Sequence, residues 1–132
     1  MIDDESNIPQ MLLQIAAGGA LGALGRYLTS MLVTRIVGAT FPFGTLMVNS
    51  VGCLAMGFAF AWFAGGDYSR AAPFVTMGFL GGYTTMSAFA LETWMLMEGG
   101  KTGEAFIYVT ATLVLSLAAL ATGIVLGRWA WG

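Results

Sequence analysis

Gly78-Phe-Leu-Gly-Gly-Tyr-Thr-Thr-Met-Ser-Ala-Phe89 interrupts a long apolar segment with two adjacent glycines and a cluster of hydroxyls. A glycine inside a helix costs about 1 kcal/mol relative to Ala, so the Gly81–Gly82 pair is a weak point. Thr84, Thr85 and Ser87 follow at once. Irregular backbone at membrane depth is stable only where protein or a polar cavity covers it, and broken membrane helices turn carbonyls and N–H groups toward ions. The stretch therefore reads as an ion site within a helix broken near its centre.

The flanking sequence fixes the solvent. Hydrophobic residues make up 58% of the 132-residue chain and charged residues 9%, and the mean hydropathy is +0.80. That balance belongs to integral membrane proteins. A span needs about 20 apolar residues, so four fit with short loops and a fifth does not. The net charge of −2 comes mostly from the N-terminal tail and gives no footprint for nucleic acid. A single cysteine, Cys53, and the lack of any histidine disfavour zinc, haem and Ser-His or Cys-His chemistry. No enzyme constellation is present.

Taken in order, residues 1–10 are polar, acidic and contain Pro9, and are expected to form a short exposed tail without the basic start of a signal peptide. The four-helix membrane domain is expected over about 11–128, with spans at about 11–34, 45–64, 72–97 and 104–126. In the first, Gly18, Gly22 and Gly25 share one face, a small-residue pattern that admits another backbone. Arg26 follows, either facing the interior or snorkelling to the interface beside Tyr27. In the second, Asn49 either joins helices or offers its amide to a ligand. A tight turn with Asp67 comes next. Glu92, late in the third span, is either interfacial or an interior partner for Arg26. In the fourth, Tyr108, Thr112 and Ser116 recur every four residues and form a polar track, and Gly127-Arg128-Trp129 ends the span as an interfacial anchor.

Orientation is undecided by charge. Outside Arg26, Arg70 and Arg128 lie on one side, and Arg35 and Lys101 on the other. The positive-inside rule then favours neither orientation, which points to insertion both ways and an antiparallel pair. Four short helices also enclose little volume, so pairing through glycine faces is expected.

Three motifs in this order, Gly22-Ala-Leu-Gly25-Arg26-Tyr27, Gly44-Thr45-Leu-Met-Val48-Asn49 and the Gly78–Phe89 stretch, resemble the CrcB/Fluc family of small fluoride channels. The resemblance spans nearly everything after the tail. It implies an all-α membrane protein: an antiparallel homodimer of four-helix subunits in the bacterial or archaeal plasma membrane, with two pores that export fluoride passively. It implies a structural sodium ion at the dimer centre, held by the Gly81 and Thr84 carbonyls. It also matches Asn49 to the pore asparagine, Arg26 to the first-helix arginine, and Tyr108, Thr112 and Ser116 to the polar track. The family usually carries two phenylalanines three apart; here Met86 takes the first position and Phe89 the second. Met lacks the positive ring edge of an aromatic quadrupole, which bears on conduction rate and selectivity.

Fluoride accepts hydrogen bonds only, so a dry pathway must replace its water with donors. The Asn49 amide, the hydroxyls of Thr85, Thr112 and Ser116 and the edge of Phe89 suit that task. A proton-coupled antiporter for cationic compounds is the alternative, with Glu92 as its only candidate carboxylate. A membrane subunit without transport is the third class.

Overall fold

The first helix starts earlier than the tail composition suggests. In the computed structural model, which describes residues 5–66 and 69–132, a 3₁₀ turn at Glu5–Asn7 leads directly into α1, Ile8–Val37. Pro9 does not prevent this. It sits in the first turn, where its missing N–H has no intrahelical partner to lose. The expected tail is thus shortened, although Ile8 to Gln10 remain exposed. The expected turn residue Asp67 lies outside the described residues.

After α1 come α2 (Phe43–Gly65), a 3₁₀ turn at Ser69–Ala71, and a third span of 26 residues, Pro73–Glu98. Its first half, α3, is π-helical over Pro73–Leu80 and α-helical over Gly81–Tyr83; its second half is α4, Met86–Glu98. A short turn with Gly100 at φ +75° joins it to α5, Thr102–Trp131. All four spans are long and apolar enough to cross a membrane. At 1.5 Å per residue, the 30-residue α1 and α5 reach about 45 Å, beyond the roughly 30 Å of hydrocarbon. α5 passes its expected end because Gly127 is a packing residue, set against Phe58 and Ala61, rather than a stop. Its last turn then brings Trp131 to 4.6 Å from the Trp62 ring centre.

Small residues decide which helices touch. α1 runs alongside α3: a Cβ on Gly18 would stand 2.5 Å from the Phe74 carbonyl oxygen and 2.8 Å from the Phe79 nitrogen. Gly22 is pressed in the same way against Phe79 and Tyr83, and Gly25 against the Tyr83 ring. Their spacing suggested a face that admits another backbone, and the backbone it admits is that of α3 in the same chain. α2 and α5 form the second close pair, in parallel, with Gly57 against Leu120 and Gly123 against Leu54. The outer surface stays apolar: Leu13 is 72% exposed, Phe106 73% and Trp129 84%. Only lipid or another apolar protein surface suits such a perimeter, and the molecule is a multi-pass membrane protein.

Candidate functional site

The helical path stops at Tyr83 and resumes at Met86. Gly81 itself is helical, with φ −63° and ψ −39°, and Gly82 packs against α1, where a Cβ would stand 2.6 Å from the Gly19 carbonyl oxygen. The departure falls on the two threonines: Thr84 has ψ 157°, and Thr85 has φ −151° and ψ 120°. β-Branched residues suit extended backbone. Both the N–H and the Oγ1 of Thr84 donate to the Leu80 carbonyl, each at 3.0 Å.

Asn49 of α2 closes the gap. Its Oδ1 accepts the Thr85 N–H at 2.8 Å, and its Nδ2 donates to the Thr85 carbonyl at 3.0 Å. One amide side chain thus satisfies both backbone groups of one residue, much as a neighbouring strand would. Thr85 in turn caps α4, its Oγ1 accepting the Ala88 N–H at 3.2 Å. In a continuous helix the Thr85 N–H would reach Gly81 and the Ala88 N–H would reach Thr84. Both are diverted to side chains.

Thr45 lies one turn before Asn49 and draws α4 to α2 from the other side. It donates to Glu92 Oε1 at 2.8 Å, while Tyr108 donates to Oε2 at 2.6 Å. The Tyr108 ring is fully buried, between Phe41 at 5.6 Å and Phe89 at 5.2 Å. Arg26 makes no ion pair with Glu92 among the described residues. Instead both line a cavity of about 350 Å³ with Ser30, Thr45 and Thr85. The cavity has a cation on one wall and a tethered carboxyl on the other. Thr45 was visible in the sequence only as part of a motif; its spacing of four from Asn49 was the available signal.

Below Tyr108, the hydroxyls behave unlike others in these helices. Thr76, Thr84, Thr93 and Thr122 each donate to the carbonyl four residues back, at 2.8 to 3.0 Å. The buried hydroxyl oxygens of Thr112, Ser116 and Ser50 have no hydrogen-bond partner at all. Buried polar groups are nearly always paired, so these three hydroxyls stand out among the described residues. Contacts among α2, α4 and α5 and the Thr84–Thr85 link thus take in Asn49, Thr85, Phe89, Glu92 and Tyr108, and Thr112 and Ser116 follow Tyr108 along α5. Gly81 and Met86 take no part in these contacts. They lie on the open surface, Met86 at 69% exposure.

The family model described as "CrcB-like protein, Camphor Resistance (CrcB)" matches residues 13–124, from early α1 to late α5. The chain belongs to this family. A relative from Paracoccus denitrificans (strain Pd 1222), 49% identical over 116 residues, covers 88% of this chain and 93% of its own length. One from Caulobacter sp. (strain K31) is 42% identical over 120 residues, 89% and 94% of the two chains. One from Cereibacter sphaeroides (strain ATCC 17029 / ATH 2.4.9) is 48% identical over 112 residues, 85% and 90%. Each bears the name fluoride-specific ion channel FluC. The CrcB match takes in the whole break, the Asn49 clamp and the hydroxyl stripe. The acidic residues Asp3, Asp4 and Glu5 fall outside it.

Proposed function

We propose that this chain is a fluoride-selective channel that lets the anion leave passively through a bacterial plasma membrane. One observation carries the reading: Thr112 and Ser116 present buried hydroxyls with no protein partner, on the two turns of α5 that follow Tyr108, whose ring packs on Phe89. Such donors replace the water of a small, strongly hydrated anion. Asn49 keeps one amide hydrogen beyond the one given to Thr85. Arg26 draws anions toward the cavity, where attraction is less screened than in bulk water. Several modest contacts, rather than one tight site, allow the ion to leave as readily as it arrives.

The working unit in this reading is an antiparallel homodimer embedded in lipid. The balance of Arg35 and Lys101 against Arg70 and Arg128 supports it, as does the exposure of Gly81 and Met86. Those residues would meet the second subunit across the break. The carbonyls of Gly81 and Thr84 fit a sodium ion, because a hard monovalent cation takes neutral oxygen donors and two symmetric copies would double their number. When bound, the cation supplies a fixed positive charge that also stiffens the break. Proton-coupled antiport of cations finds no support, since both oxygens of Glu92 are already taken by hydroxyls and the relatives are named as channels.

The deciding experiment is fluoride-electrode efflux from liposomes holding the purified protein. Rapid efflux that ignores an imposed proton gradient supports the channel. Efflux no faster than from protein-free liposomes overturns it.

A further inference from the structure

Ser50 is the third hydroxyl without a partner, and it belongs to α2 rather than to the stripe on α5. A serine in a membrane helix normally donates to the carbonyl four residues back, here that of Leu46. Ser50 does not. The register of the two helices says what it faces. Gly57 packs against Leu120 and Gly123 against Leu54, while Leu46, one turn before Ser50, packs against the buried cluster of Leu96, Ala105 and Tyr108. Since α2 and α5 run in parallel, one turn back from the Leu54 and Leu120 levels brings Ser50 level with Ser116. Ser50, Leu54 and Gly57 recur at four and three residues, so they share the face turned to α5.

We propose that Ser50 supplies a further hydrogen-bond donor to the anion pathway, opposite Ser116 and from the neighbouring helix. The proposal rests on the fluoride-channel reading and extends it. A dry pathway lined on one side only would leave half of a small anion's shell unmet. Ser50 places a hydroxyl on the other wall, at the level where α5 offers its last one. The step from Ser116 toward Leu120 then ends the donor run on both helices at once, since Leu54 and Leu120 follow.

The test uses Ser50→Ala and Ser50→Thr in the full-length protein, with fluoride efflux and melting temperature measured side by side. Loss of one net hydrogen bond of ordinary strength slows efflux about fivefold in Ser50→Ala. The melting temperature should hold or rise, because removing an unpaired buried hydroxyl relieves the fold. Ser50→Thr keeps the hydroxyl and should conduct faster than Ser50→Ala. Unchanged efflux in Ser50→Ala, with wild type conducting, overturns this inference alone. So does a slowed Ser50→Ala with a lowered melting temperature, which makes Ser50 a packing residue. A folded Ser50→Thr slower than Ser50→Ala assigns the effect to space rather than to the donor, and also overturns it. Absence of efflux from wild type ends the channel reading and this inference with it.

Discussion

Asn49 shows why a polar residue in a membrane helix need not choose between structure and ligand. Its oxygen and one amide hydrogen hold Thr85 in an extended conformation, and the second amide hydrogen stays available. Asn49→Asp keeps the acceptor, removes both donors and adds a charge that repels anions. Fluoride efflux from Asn49→Asp liposomes should fall to background, and the buried Thr85 carbonyl, left unpaired, should cost about 1–3 kcal/mol of stability. Full efflux with intact melting would reduce Asn49 to a spectator. Tyr108 raises a different question, since its hydroxyl is given to Glu92 and not left open to the stripe. Tyr108→Phe preserves ring packing on Phe41 and Phe89 but strips one donor from the carboxyl, at about 1–3 kcal/mol. In a Glu92→Gln background the same change should cost less, because the two residues share one network. Equal costs in both backgrounds, measured by chemical denaturation in detergent, would dissolve the coupling. None of this pairing could be read from residue order. Asn49 and Thr85 are 36 positions apart, and Tyr108 reaches Glu92 across a turn. The hydroxyl track itself was legible through its four-residue spacing, but Tyr108 proves to be its anchored head rather than an open member. Ser50 was passed over because a single serine in a helix usually bonds its own backbone.

At the scale of elements, hydropathy dominates, and so the four spans and their approximate ends were legible before any coordinates. The ends shifted where a local rule was outweighed: Pro9 is harmless in a first turn, and Gly127 is held by Phe58 and Ala61. The break was anticipated within Gly81 to Ser87, yet for an incomplete reason. The glycine pair remains helical and serves contact with Gly19, while the two threonines leave the helix and recruit side chains for their backbone groups. A direct test separates the two roles. Gly82→Ala forces a Cβ to 2.6 Å from the Gly19 carbonyl oxygen, with backbone on both sides, and overpacking of this kind costs about 1–3 kcal/mol. Gly103→Ala, with nothing within 4 Å of its Cβ, should be neutral or stabilising by about 0.4–1 kcal/mol. If both variants melt alike, the α1–α3 contact does not depend on bare backbone.

The whole molecule leaves large apolar side chains exposed along every span, and Gly81 leaves main chain exposed in its broken span. Both features point past the single subunit. The Gly18, Gly22 and Gly25 face of α1 is filled by α3, whereas Gly81 and Met86 are exposed and are where the proposed inverted partner would meet the break. In the proposed antiparallel pair, charge would set the relative orientation. With two basic residues at each end, insertion either way costs about the same, and the inner leaflet attracts each Lys or Arg by about 1 kcal/mol. Replacing Arg35 and Lys101 by Ala should drive one orientation, and replacing Arg70 and Arg128 should drive the other. Each variant made alone lacks an inverted partner, so its purified form should conduct fluoride at least tenfold more slowly than wild type. Produced together in one cell, the two should assemble as inverted pairs and recover most of the wild-type efflux. Full conduction by either variant alone, with a C-terminal reporter on one side only, would mean that the subunits work in parallel or singly.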